Sequence, residues 1–356
     1  MRRMTTMMAI ASAAALALTA CGSGSSPGTG SGSTAGASTG GSPAASALRV
    51  GMAYDVGGRG DKSFNDAAAA GLEKAKAELG VTTKELEAKQ GETDAQKEER
   101  LRLLAQGGYQ AVIAVGFAYA GPVKKVAAEF PKTHFAIIDD SSFKAPNVAN
   151  LVFAANEGSF LVGAAAALKS KTGHVGYIGG VQTPLLQEFQ AGFDAGAKMV
   201  NPKIKIDDKY LTQVPDFSGF ADPAKGKVTA DGMYQGGADV IFAAAGSSGL
   251  GVFEAAKADK KLAIGVDSDQ YNTVDPALRP VILTSMIKKV DVAVFDFVKS
   301  VKDGSPLVGE TVFNLKTGGI DYSTSGGQVD DIKAKLDEYK AKIISGAITV
   351  PTKPGS

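Results

Sequence analysis

Apolar and polar positions alternate along most of this chain in a repeating way, with a short buried-looking run, a turn and then an amphipathic stretch of about three turns. Runs of four to eight apolar residues predict strands over 48–54, 82–88, 111–115, 135–138 and 148–153. Helical spacing between them predicts helices over 63–79, 94–106 and 123–130. A second set follows, with strands over 175–178, 204–211, 240–244, 262–266 and 281–284 and helices over 185–200, 223–235 and 252–258. After it come a helix over 291–301, a strand over 310–315 and a charged helix over 330–344. Short apolar strands alternating with helices predict parallel sheets built from βαβ units, an α/β fold.

The two sets are related. AQGGYQAVIAVG at 105–116 aligns with YQGGADVIFAAA at 234–245, an offset of 129 that also puts Val123 on Val252. With one residue of slippage, AIID at 136–139 falls on IGVD at 264–267. Two like lobes facing each other would set Asp139 and Asp267 on opposite walls of one cleft. The tail after residue 285 is too short for a third domain, so it is expected to pass between the lobes.

The opening unit concentrates candidate chemistry. Its strand ends at Asp55, a turn with Gly57, Gly58 and Gly60 follows, and a helix begins near Asp61 or Ser63, either of which can cap it. Ligands of open α/β sheets sit beyond the carboxyl ends of the strands, which places Asp55, Phe64 and Asn65 on a binding rim. Phe64 reads equally as a hydrophobic staple fixing the helix entry. Arg59-Gly60-Asp61 spells an adhesion tripeptide but carries no weight inside a glycine loop.

Composition narrows the function classes. Lys plus Arg number 38 against 37 Asp plus Glu, with no basic block, so nucleic acid is not the expected partner. Two isolated histidines, His134 and His174, and one cysteine cannot build a usual zinc site or a Cys-His pair. No metal is expected. No G-x-S-x-G elbow follows a predicted strand and no H-E-x-x-H pattern occurs, so no catalytic residues are assigned and the chain is read as a non-enzyme. Gly246 to Gly251 followed by Asp267 approaches a dinucleotide fingerprint, but the order is G-x-x-G-x-G, and no cofactor is expected. A glycine loop that lets backbone N–H groups approach a ligand is the more economical reading.

The N-terminal 21 residues have two arginines, a short apolar run and then Leu18-Thr19-Ala20-Cys21. The layout is that of a secretory signal, residues 1–20, and the final four resemble a bacterial lipobox, implying cleavage before Cys21 and lipidation of its thiol. Residues 21–47, almost all Gly, Ser, Thr, Ala and Pro, are expected to be a flexible tether reaching about 25–30 Å. The mature chain is then held on the extracytoplasmic face of the cell membrane by its lipid.

GRGDKSFN at 58–65, GFADPAKGK at 219–227, IGVDSDQ at 264–270 and TSMIKKV at 284–290 together resemble the basic membrane lipoprotein family, over about 48–351. These are substrate-binding lipoproteins of ABC importers, several specific for purine nucleosides. The resemblance implies the type I periplasmic-binding-protein fold, two Rossmann-like lobes joined by three crossovers, here 48–154 with about 286–316 and 155–285 with about 317–356. It implies aromatic stacking of the base by Phe64 and Phe220, with Phe217 as the alternative second ring. It puts ribose and base hydrogen bonding on Asp55, Asn65, Asp139, Gly246, Asp267 and Lys288, the last in the second crossover. The expected function is capture of a nucleoside by a monomer and its delivery to an ABC permease. A sugar or other small polar ligand, a ligand-sensing receptor and, remotely, an NAD-dependent oxidoreductase are the alternatives.

Overall fold

The structure is a computed structural model that describes residues 47–355. The expected signal segment, Cys21 and the tether through residue 46 lie outside the described residues. In chain order the elements are β1 (Arg49–Ala53), α1 (Phe64–Leu79), β2 (Thr82–Leu86), α2 (Asp94–Gln106), β3 (Ala111–Ala114), α3 (Ala120–Glu129), β4 (His134–Ile138) and β5 (Val148–Phe153). There follow α4 (Ala155–Lys169), β6 (His174–Gln182), α5 (Pro184–Val200), β7 (Lys205–Gln213), α6 (Pro223–Gln235), β8 (Val240–Ala244), α7 (Ser248–Asp259), β9 (Leu262–Asp267) and α8 (Gln270–Thr273). The chain closes with β10 (Ile282–Lys288), α9 (Val290–Lys302), β11 (Gly309–Phe313), β12 (Ile320–Tyr322) and α10 (Lys333–Ile344).

Two six-stranded sheets result, ordered β11-β5-β4-β3-β1-β2 and β12-β10-β9-β8-β6-β7. All pairings are parallel except that of β12 with β10. Central strands such as β3, AVIA, and β8, VIFAA, are buried throughout. A strand covered by helices on both faces must be apolar on both, and that is why these segments read as continuous runs. The chain passes between the sheets three times: from β5 through α4 to β6, from β10 through α9 to β11, and from β11 to β12. The tail is anchored where α10 packs on α4 and Asn156 Nδ2 donates to the Val350 carbonyl at 2.9 Å.

Helix starts follow their local chemistry. Thr93 and Gln96 form a capping box for α2, while Thr183 and Asp222 accept from Leu186 N and Lys225 N ahead of the prolines that open α5 and α6. His174 occupies a structural role, with Nε2 at 2.8 Å from Asp207 Oδ2.

Several elements depart from the sequence reading, among them the single-turn helix α8, which it lacked. Helix α4 has no counterpart in it, because ANEGSFLVGAAAALK is apolar on nearly all sides and shows no amphipathic stripe. Strand β12 is too short for a periodic signal. Strand β10 runs through Ser285-Met286-Ile287-Lys288 rather than ending at Thr284, so Lys288 stands at the end of a buried strand.

Candidate functional site

The cleft is built from strand ends of both sheets. After β1 the chain turns through Gly57, Gly58 and Gly60, all at positive φ, which brings Asp61 back under the start of α1. The Asp61 carboxylate accepts from the backbone N–H groups of Ser63, Asn65 and Asp66 and from Asn65 Nδ2, at 2.8–3.1 Å. Of the two candidates, Asp61 is therefore the residue that caps α1. Burial pushes its carboxyl up to about 6 despite the three backbone N–H donors. Asn65 in turn accepts from Asp55 N at 3.1 Å through Oδ1. Burial also pushes Asp55 up to about 6, opposed by the N–H of Val56 and the charge of Lys97. Asp61 is buried and Arg59 is paired with Glu73 and Glu85, so the adhesion tripeptide is not displayed.

Asp139 and Asp267 close β4 and β9, and each has φ of 65°. Few L residues enter the left-handed region, and Asp is among those that do. The two carboxylates meet on one cation: Lys288 Nζ lies 2.6 Å from Asp139 Oδ2 and 3.4 Å from Asp267 Oδ1. The second Asp267 oxygen accepts from Ser63 Oγ at 2.9 Å. Asp139 Oδ1 is buried without a hydrogen-bond partner, and Asp267 Oδ1 has only the longer ion pair to Lys288. The Lys288 ammonium also lies over the ring of Phe64 at 4.5 Å, with Phe153 and Phe189 at 5.3 and 5.6 Å. Burial works against this ammonium, but Asp139 and Asp267 outweigh it and hold its pKa above the ordinary lysine value. Burial drives Asp139 upward against the pull of Lys288.

These groups surround a cavity of about 60 Å³. Asp55, Phe64, Asn65, Asp139, Phe220, Gly246, Asp267 and Lys288 all line it, so the structure brings these eight residues together around one cavity. Phe217 does not line it; its ring packs edge-on against Phe117 at 5.9 Å. The lining also includes Asp61, Phe117, Leu185, Leu186 and Phe189, none of which sequence reasoning placed there. Phe117 follows β3, and Leu185 to Phe189 open the helix after β6. The carboxyl-end rule applied to every strand would have found them.

Gly246 borders the cavity, but Gly249 and Gly251 lie inside α7, where a Cβ on Gly251 would fall 1.8 Å from the Pro223 carbonyl oxygen. Gly251 serves helix packing rather than a pyrophosphate cradle. Among the described residues no group of three or more His, Cys, Asp or Glu is placed to hold a metal ion.

A family model described as ABC transporter substrate-binding protein PnrA-like, named Bmp, matches residues 48–354. The chain belongs to the Bmp family. Among its relatives, the CD4+ T-cell-stimulating antigen of Listeria monocytogenes is 37% identical over 321 residues, covering 86% of this chain and 88% of that protein. The ABC transporter nucleoside-binding protein BmpA of Lactococcus lactis is 35% identical over 326 residues, covering 86% and 90%. The crystal structure of an ABC transporter solute-binding protein from Aeropyrum pernix K1 superposes with a TM-score of 0.75 at 30% identity, covering 86% and 94%. The Bmp fold is thus the two-lobed solute-binding type expected, and the family's role is binding rather than catalysis. A Bmp protein works with a small-molecule ligand and a transporter at the outer side of the membrane. No described helix is long and apolar enough to cross one.

Proposed function

We propose that the cleft captures a nucleoside, with a purine base, for delivery to an ABC permease. The observation that carries this reading is the pair Asp139 and Asp267 beside Lys288, with Asp139 Oδ1 buried and unpartnered and Asp267 Oδ1 held only by a 3.4 Å ion pair to that lysine. Buried acceptors short of donors are costly, and two such carboxylate oxygens suit the vicinal hydroxyls of a ribose. Phe64 and Phe220 line the same cavity and offer π-faces to a flat base. Asp55 and Asn65 supply hydrogen bonding at the base edge, and Gly246 lets the backbone approach. The nucleoside-binding name of the 35% identical Lactococcus lactis relative supports the same ligand class.

In this reading residues 48–154 with about 286–316 form one lobe and 155–285 with about 317–356 the other, a division that sheet membership supports except at 286–288, which β10 keeps in the second sheet. Residues 1–20 act as signal, Cys21 carries the lipid and 21–47 form the tether, so that a monomer is anchored on the extracytoplasmic face. A thermal-shift screen over nucleosides, free bases, sugars and NAD tests the ligand. Ribonucleosides alone should raise the melting temperature strongly, and a response confined to free sugars would replace the nucleoside by a polyol.

A further inference from the structure

We infer that Gly180 sets the position of the Phe220 ring and, with it, the width of the ligand cleft. This rests on the reading of Phe220 as a wall against the base. Gly180 lies inside β6, and neither it nor Gly219 takes a positive φ, so backbone conformation does not demand glycine at either place. Space does. A Cβ on Gly180 would fall 2.4 and 2.6 Å from Cδ1 and Cε1 of Phe220, against 3.1 Å from the Gly219 carbonyl oxygen. A Cβ on Gly219 would in turn fall 2.0 Å from the Gly180 carbonyl oxygen. The turn carrying Phe220 therefore lies directly on the end of β6, with the ring in the space a side chain at 180 would fill.

The ring cannot retreat. Ser248 Oγ donates to the Gly219 carbonyl at 2.7 Å and Ser247 Oγ to the Phe220 carbonyl at 3.2 Å. Asp222 N donates to Ser248 Oγ at 2.8 Å, which holds the next residue as well. The start of α7 thus pins the backbone on both sides of the ring. The edge of Phe117 stands at 6.4 Å between centroids. Displacement by a methyl group at 180 is then directed into the cavity that Phe220 lines. A well-packed site accommodates an added methyl only by moving its neighbours, and here the movable neighbour is the ring.

The experiment is calorimetric titration of adenosine, guanosine and inosine into wild type, Gly180→Ala, Phe220→Ala and the double variant, with melting temperatures for each. Gly180→Ala should bind about tenfold or more weakly with little change in melting temperature, and should add nothing in the Phe220→Ala background. Unchanged affinity in Gly180→Ala, or the same loss with and without the ring, overturns the inference. If Gly180→Ala does not fold, recovery of folding in Gly180→Ala/Phe220→Leu supports the ring contact, and failure of both variants to fold refutes it. Full affinity in Phe220→Ala would remove stacking alone, because a weakened Gly180→Ala would still report the ring as the wall.

Discussion

Asp139 and Asp267 sit at equivalent ends of equivalent strands, both at a left-handed φ that most residues avoid, and both turn a carboxylate toward the Lys288 ammonium. A backbone conformation of this kind persists where its surroundings over-determine it, and such residues cluster at ligand clamps. The same scale decides between the two readings of Phe64. Ser63 holds the N-cap position of α1, although the capping carboxylate is that of Asp61, so Phe64 is the first helical residue rather than the N′ residue from which a staple is made. Its ring faces the cavity and the Lys288 ammonium instead. Phe64→Ala should weaken nucleoside binding by about 1–3 kcal/mol with little loss of melting temperature. Normal affinity with a large melting loss, read by titration and scanning calorimetry, would restore the staple.

Among elements, α5 joins the cleft to the body of its layer. Its first turns carry Leu185, Leu186 and Phe189 into the cavity, while Gly192 and Gly196 let it press onto α4 so closely that a Cβ would fall 2.1 and 1.9 Å from the Asn156 and Phe160 carbonyl oxygens. Farther along, Asp194 faces Asp208 of β7 within hydrogen-bonding reach. Burial first, and then the Asp208 charge, push Asp194 up to about 7, with Lys198 opposing. A carboxyl whose folded pKa lies above its unfolded value contributes stability that is complete below about pH 4 and lost as pH rises through 7. Wild type should therefore lose on the order of 2 kcal/mol from this pair between pH 5 and 8. Asp194→Asn, which keeps a permanent donor to Asp208, should flatten that slope in urea unfolding at the two pH values. An equally steep fall in the variant would show that the pair does not share a proton.

Most strands and helices were legible because a parallel strand under two helical layers is apolar along its whole length and its helices keep a polar face. Helix α4 was not, because burial on all sides erases the 3.6-residue stripe. The site was legible at strand ends, where Asp55, Asp139 and Asp267 stand out after apolar runs. What periodicity could not carry is convergence: that one lysine at the end of β10 meets both acids, or that Phe117 and Phe189 enter the same cavity.

At the scale of the whole molecule, the two layers touch through the start of α1. Ser63 Oγ donates to the Asp267 carboxylate, Ser268 Oγ to the Ser63 carbonyl at 2.8 Å, and Gln270 Nε2 to the Lys62 carbonyl at 3.0 Å. This is a closed arrangement, and a ligand that bridges the layers would favour it over an open one. For anchoring, Cys21→Ser should release the protein from membranes. A variant that still sediments with membranes as wild type does would refute lipidation at that thiol.

The central claim is that the duplicated acids grip one ribose between the lobes. Loss of a charge-assisted hydrogen bond whose hydroxyl partner stays buried costs about 1.5–3 kcal/mol, or roughly ten- to hundredfold in affinity. Calorimetric titration of wild type and Asp267→Asn with ribonucleosides and their 2′,3′-dideoxy counterparts measures this directly. Wild type should prefer the ribonucleoside by that factor, and Asp267→Asn should lose most of the preference. Equal wild-type affinity for both sugars, or an unaltered Asp267→Asn, would contradict the account and leave these acids as strand-end structure.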